Sequence, residues 1–240
     1  MELSASYLDG LAPPPPLELT SFPKHAISLA FEYTVILGLL RLAFTYVVPS
    51  IPTCIQKPVT FLIYASLSLK SRTFSLMNNS RPEKRDKGQL GWYDRTMPKW
   101  TPPGIFFPIM WVLIITPLRA LSSTFVHSSA ASPVTALATT KWLILHLAIG
   151  DVWNTINNVE GRLGVSALTV LLVLGSALNA SCNYLAVSKT AGYMLTGTCA
   201  WLFIATNLIW NTWWINTRDG KRDILLPKKD GRRTRFIFEK

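Results

Sequence analysis

Trp100-Thr101-Pro102-Pro103-Gly104-Ile105-Phe106-Phe107-Pro108-Ile109-Met110-Trp111 leads into an apolar block that runs from Gly104 to Val126. The hydrocarbon core of a bilayer is about 30 Å thick and takes roughly 20 apolar residues as a helix. Indoles favour the headgroup level at its edges, where Trp100 stands. Three later blocks, 134–157, 163–187 and 191–215, have the same length, and tryptophans recur along this half of the chain. A fifth block, 26–48, lies nearer the N-terminus. The pattern predicts an all-α, multi-pass membrane protein, a bundle of five transmembrane helices.

Composition agrees. Of the 240 residues 49% are hydrophobic and only 15% are charged, where a soluble domain carries about 25% charged residues. The net charge of +11 invites a nucleic-acid reading, but Lys and Arg gather at 70–99 and 218–240, between and after the spans. Basic residues there set membrane orientation, so no nucleic-acid partner is expected. Three cysteines, Cys54, Cys182 and Cys199, show no CxxC spacing. Their odd number argues against a disulfide framework, and the two within spans read as small core residues. No basic start precedes an apolar run, so the first span is expected to serve as its own targeting signal.

The predicted organisation is a disordered, proline-bearing tail at 1–25, a first transmembrane helix at 26–48, and an interfacial segment with a basic loop at 49–99. A core of four transmembrane helices follows at 100–217, then a basic cytoplasmic tail at 218–240. The apolar run 58–69 is about twelve residues long, the length of an interfacial or re-entrant piece. Glu32 and Arg41 stand about two and a half turns apart in the first span and read as two separate charges near its ends. With five spans, eighteen Lys and Arg fall on the side of the long loop and C-terminal tail. Lys24, Arg119, Lys141 and Lys189 fall opposite. This asymmetry puts the C-terminus and the long loop in the cytoplasm, in an organellar membrane or endomembrane. A sixth span at 58–77 would bring the N-terminus to the same side.

At 100° per residue, His146, Gly150, Trp153 and Asn157 form one stripe on the third span, with Asp151, Asn154 and Asn158 beside it. So many polar groups must face protein or a cavity, as the wall of a ligand pocket or as a structural hydrogen-bond network. Trp201 lies nearer the middle of the last span than Trp213 and Trp214, which suit the interfacial belt. Phe107, Trp111 and Ile115 align on the second span, which Pro102, Pro103, Pro108 and Pro117 stiffen or bend. His146 and Asp151 point about 140° apart on a helix and make no catalytic dyad. Metal clusters and phosphate loops are absent, so no enzyme is expected. Two sterol-contact patterns occur, Leu62-x-Tyr64-x5-Lys70 and Lys189-x3-Tyr193-x-Leu195, both of the weak kind that chance supplies.

Trp92-Tyr93, Pro98-x-Trp100-x-Pro102-Pro103 and Phe107-Pro108-Ile109-x-Trp111 resemble the signature of the translocator protein and tryptophan-rich sensory protein (TspO/MBR) family. Trp153 and Trp201-x2-Ile204-Ala205-Thr206 with Trp213 and Asn216 follow in the family's order. The resemblance covers roughly residues 92–217. It implies a five-helix bundle, often dimeric, that binds porphyrins, sterols and similar flat hydrophobic molecules below its first loop, here with an extra N-terminal tail and a longer basic loop. The implied ligand-binding residues are Trp100, Pro103, Trp111, His146, Gly150, Trp153, Asn157, Trp201 and Ala205. Gly150 stands where the family has asparagine, and its fifth-helix asparagine aligns with Ile209.

The functional expectation is a membrane sensor, carrier or transporter for a tetrapyrrole (haem or protoporphyrin), a sterol or a similar molecule. His146 would then meet a porphyrin propionate or an iron. The alternative is a membrane scaffold without a small ligand, whose basic tail meets anionic lipid or an acidic partner.

Overall fold

The computed structural model describes residues 16–70, 72–80, 95–218, 221–229 and 234–239. Helix α1, Ser21–Leu42, continues through a π turn, Ala43–Val47, and a 3-10 turn, Val48–Ser50. Helix α2 is Thr53–Leu69. Helix α3, Phe106–Ile109, passes through a π segment, Met110–Ile115, into α4, Thr116–Ser129. Helices α5, Pro133–Asn158, α6, Leu163–Val187, and α7, Lys189–Ile215, complete the bundle. A two-stranded hairpin of β1, Thr217–Arg218, and β2, Lys221–Arg222, follows.

Local chemistry sets these boundaries. Both π segments end two residues before a proline, Pro49 and Pro117. Proline has no N–H and crowds the carbonyl four residues back, and one residue of slack relieves that crowding. Accordingly the Val48 N–H donates to the Ala43 carbonyl and the Thr116 N–H to the Trp111 carbonyl. Ser132 and Ser188 cap α5 and α7 by accepting from the Thr135 and Ala191 N–H groups, the usual remedy for orphan donors at a helix start. Gly161, at φ 67°, supplies the left-handed residue that ends α5 and lets α6 begin two residues later.

Among the described residues five helices, Ser21–Ser50, Phe106–Ser129, Pro133–Asn158, Leu163–Val187 and Lys189–Ile215, are long and apolar enough to cross a membrane. Their surface is the reverse of a soluble protein's. Leu113, Leu172 and Phe203 are each more than 60% exposed, while Ser122, Ser123, Thr140 and Thr198 are wholly buried. Such an arrangement suits a hydrocarbon surround that polar side chains avoid. Helix α4 packs on α2 and α7, α6 lies between α5 and α7, and α1 lies along α5. Ser28, Glu32, Ile36, Leu40, Phe44 and Val48, spaced by fours, are the buried stripe of α1.

Several expectations need correction. The first span starts at Ser21, five residues early, because the chain ahead of it is held: Glu18 pairs with Arg162, and the Glu18 N–H donates to the Pro227 carbonyl at 2.8 Å. Residues 1–15 lie outside the described residues. The apolar run 58–69 belongs to a longer helix than its apolar length suggested, the 17-residue α2, packed on α4. Its fully buried Tyr64 bonds His127 and Thr140, each at 2.9 Å. Tyr64 and the ion-paired Lys70 are therefore turned away from the surround, and the first sterol pattern fails. Tyr193 of the second is 69% exposed. Cys182 is exposed rather than core. Because α2 returns the chain, α1 starts at the end that carries the C-terminal tail. There Lys24 Nζ sits 2.6 Å from Glu239 Oε2, so Lys24 belongs with the basic side rather than opposite it.

Glu32 and Arg41 are not partners, but Glu32 is no separate charge near an end of the span either: it is wholly buried. Glu32 instead bonds the Lys70 ammonium, which also lies 2.5 Å from Asp151 Oδ2. The Asp151 carboxylate takes the Arg72 N–H at 2.9 Å as well. This acid–base–acid cluster ties α1, the end of α2 and α5 together. Lysine with two carboxylates at contact distance is how buried charge is kept tolerable.

Candidate functional site

Two tryptophans, one on the π segment ahead of α4 and one on α5, pack on the same buried cluster. Trp111, on the π segment ahead of Pro117, and Trp153, on α5, both pack against a buried cluster made of Val173 and Ala177 of α6 and Cys199 and Leu202 of α7. π segments re-aim side chains within a helix and often mark functional positions. The Trp153 indole is fixed by its N–H, which donates to the Ser166 carbonyl at 3.1 Å. Between His146 and Trp153 on α5 stands Gly150, where an added Cβ would meet nothing within 4 Å. An aromatic wall with room beside it is the arrangement that takes flat apolar molecules.

Trp201, on α7, is buried, and its ring lies against Phe106 at 5.8 Å and Phe107 at 6.2 Å between centroids. Its indole N–H, together with the Thr198 and Thr206 hydroxyls of the same helix, has no hydrogen-bond partner among the described residues. Buried donors of this kind are uncommon. Ala205, one turn from Trp201, is half-buried.

His146 is committed elsewhere than expected. A guanidinium only donates, so His146 Nε2 accepts from Arg119 Nη2 at 2.7 Å. The ring proton then sits on Nδ1, shared by the Val173 carbonyl at 3.2 Å and Ser176 Oγ at 3.0 Å. With both nitrogens engaged, His146 does not fit the role of an iron ligand or of a direct propionate partner. Asp151 is bound to Lys70, so the two residues serve separate networks.

Asn157, on the same stripe, is also structural. Its Oδ1 accepts from Arg95 Nη1 at 2.9 Å and Ser166 Oγ at 3.0 Å. One residue on, the Thr96 N–H donates to Asn216 Oδ1 at 2.9 Å, and Asn216 Nδ2 returns a bond to the Thr96 carbonyl at 2.8 Å. These bonds anchor the approach to the Trp100 motif onto the ends of α5 and α7. Trp100, 47% exposed, and the exposed Pro103 stand at the entry to α3, while Trp92 and Tyr93 lie outside the described residues. Trp111, Gly150 and Trp153 thus share one region, Trp201 and Ala205 form the α7 side with Phe106 and Phe107, and Asn157 leaves the site for a clamp.

Arg119 was missed. It was read as a charge on the side opposite the basic loop, yet it is 4% exposed, midway along Phe106–Ser129, with its guanidinium 5.3 Å from the Trp111 ring. Its position inside an apolar block, eight residues after Trp111, was the available signal.

The sequence model of the TspO/MBR family matches residues 58–215. The match reaches further toward the N-terminus than the motifs do: it takes in most of α2 and everything through α7, and leaves α1 outside. No curated protein matches the chain. A match over that much of the sequence shows the family, and the chain belongs to it.

Proposed function

We propose that this TspO/MBR membrane protein binds a flat hydrophobic molecule, a tetrapyrrole, sterol or similar, as a sensor, carrier or transporter. The observation that carries the reading is the meeting of Trp111 and Trp153 on one α6–α7 surface beside the open space at Gly150. The partnerless Trp201 indole N–H supplies a polar point for orienting a ligand. Binding rather than catalysis is the role, since His146 and Asp151 are bound apart. The basic end of the bundle, now including Lys24, is the cytoplasmic one by the positive-inside rule.

The test is a titration of the detergent-solubilised protein with protoporphyrin, following tryptophan fluorescence. Saturable quenching that Trp153→Ala weakens about tenfold supports the pocket. Quenching that is unsaturable, or equal in Trp153→Ala after correction for the lost indole, would show partitioning only. His146→Ala is a poor probe, because it strips the buried Arg119 of its imidazole partner.

A second reading, a scaffold that meets lipid or an acidic partner, is favoured by the tail. Ile237 and Phe238 are 65% and 70% exposed beside Arg235, an apolar and basic mixture suited to an anionic membrane surface. Replacing both by serine should release such a partner and leave ligand quenching unchanged.

A further inference from the structure

Arg119 combines features that a membrane bundle rarely keeps together. It is buried at mid-span. Among the described residues no carboxylate lies within ion-pair distance of it, and its Nε has no hydrogen-bond partner. Among the described residues its side-chain hydrogen bond goes to a His146 imidazole that is neutral by its own bonding. The nearest acid of that region, Asp151, already faces the Lys70 ammonium at 2.5 Å and the Arg72 N–H at 2.9 Å. A guanidinium held in an apolar surround with no carboxylate in contact is costly, and such groups are retained where they meet substrates or ions.

The surroundings say what it could meet. The Trp111 ring under the guanidinium, the open space at Gly150 one turn from His146, and Trp153 one turn further place the charge at the edge of the aromatic site. A planar fork with free donor capacity matches a carboxylate. A single negative charge would neutralise the arginine, whereas a dianion would leave an excess charge in the apolar interior.

We infer that Arg119 is the docking group for a carboxylate on the ligand, which makes that ligand a flat amphipathic organic acid rather than a neutral sterol. The inference rests on the pocket reading above and adds the polar half of the molecule. The rings lie toward Trp111 and Trp153, the acid group lies against Arg119, and His146 is a positioning residue that holds the guanidinium through Nε2.

The test uses the full chain in detergent and two probes differing in charge and one methyl group, 1-pyrenebutyrate and its methyl ester, with tryptophan quenching as the readout. The acid should bind about tenfold or more tighter than the ester. Arg119→Gln should bring the acid and the ester to parity, and Arg119→Lys should keep part of the preference. Equal, saturable binding of acid and ester by the unaltered protein would overturn the assignment while sparing the pocket. So would an acid preference that survives in Arg119→Gln. Failure of both probes to quench saturably would sink the pocket reading and the assignment with it. The comparison within the unaltered protein can overturn the assignment by itself, and Arg119→Lys gives a second, milder variant where Arg119→Gln misfolds.

Discussion

Lys70 Nζ lies 2.5 Å from Asp151 Oδ2 and bonds Glu32 at the same time, so one ammonium joins α1, α2 and α5. All three side chains are shielded, with Lys70 7% and Asp151 14% exposed. Lys70→Met leaves two carboxylates facing each other in an apolar region. It should lower unfolding stability by about 3–5 kcal/mol, the usual cost of removing one partner from a buried pair. Adding Glu32→Gln and Asp151→Asn should recover most of the loss. Denaturation in detergent reads both effects, and an unchanged midpoint for Lys70→Met would show that the cluster is solvated.

Two glycines should respond oppositely to a methyl group. At Gly192 an added Cβ would stand 2.2 Å from Leu185 Cγ and 2.7 Å from its Cα, where α6 and α7 approach across their connection. Gly192→Ala should destabilise by about 1–3 kcal/mol through overpacking. Gly150→Ala meets nothing within 4 Å, so folding should be unaffected while ligand quenching weakens. A Gly150→Ala protein with full ligand affinity would place the ligand elsewhere.

Glu160, outside the spans in the turn after α5, accepts from His25 Nε2 at 2.8 Å and lies 3.2 Å from Arg162 Nε. Burial alone would raise its carboxyl, but the bond from His25, with the charges of His25 and Arg162, holds it below the ordinary 4.5. A depressed folded-state value means that its stabilisation is complete above the unfolded value. That stabilisation drains away as pH falls below about 4.5 through the folded value. Glu160→Gln should flatten this acid limb. Melting curves between pH 3 and 6, roughly the window that linkage sets, would show it, and superimposable limbs would contradict it.

The C-terminal segment is part of the fold. Met77 pairs with Phe236, the Asn78 N–H donates to the Arg235 carbonyl at 2.9 Å, and Lys24 holds Glu239. A Cβ at Gly164 would fall 2.1 Å from the Ile224 carbonyl oxygen, so α6 carries this segment at backbone contact. Gly164→Ala should therefore make the stretches 221–229 and 234–239 sensitive to protease and lower thermal stability. A tail as protected as before would show that the contact yields cheaply.

Much of this was legible, and the failures have a common cause. The α6 bounds coincide with the apolar block, and α5 and α7 differ from theirs by one or two residues at the start. There Ser132-Pro133 and Ser188 act as caps that hydropathy does not register. α2 was underestimated because Thr53, Gln56 and Lys57 interrupt its apolar run on the first two turns. Glu32, Lys70 and Asp151 could not be matched from spacing, since a pair 81 residues apart carries no local signal. The stripe on α5 was found as geometry, but which members face a ligand depends on neighbouring helices: Arg95 and Ser166 claim Asn157, Arg119 claims His146, and only Gly150 and Trp153 remain toward the aromatic surface.

The lysine bridge also bears on biogenesis. Glu32 leaves the ribosome 38 residues ahead of Lys70 and long before Asp151. A lone acid is a poor passenger for an insertion machine handling one helix at a time. α1 should therefore be held at the insertion site until α2 follows and enter lipid with it as a hairpin, its charge already answered.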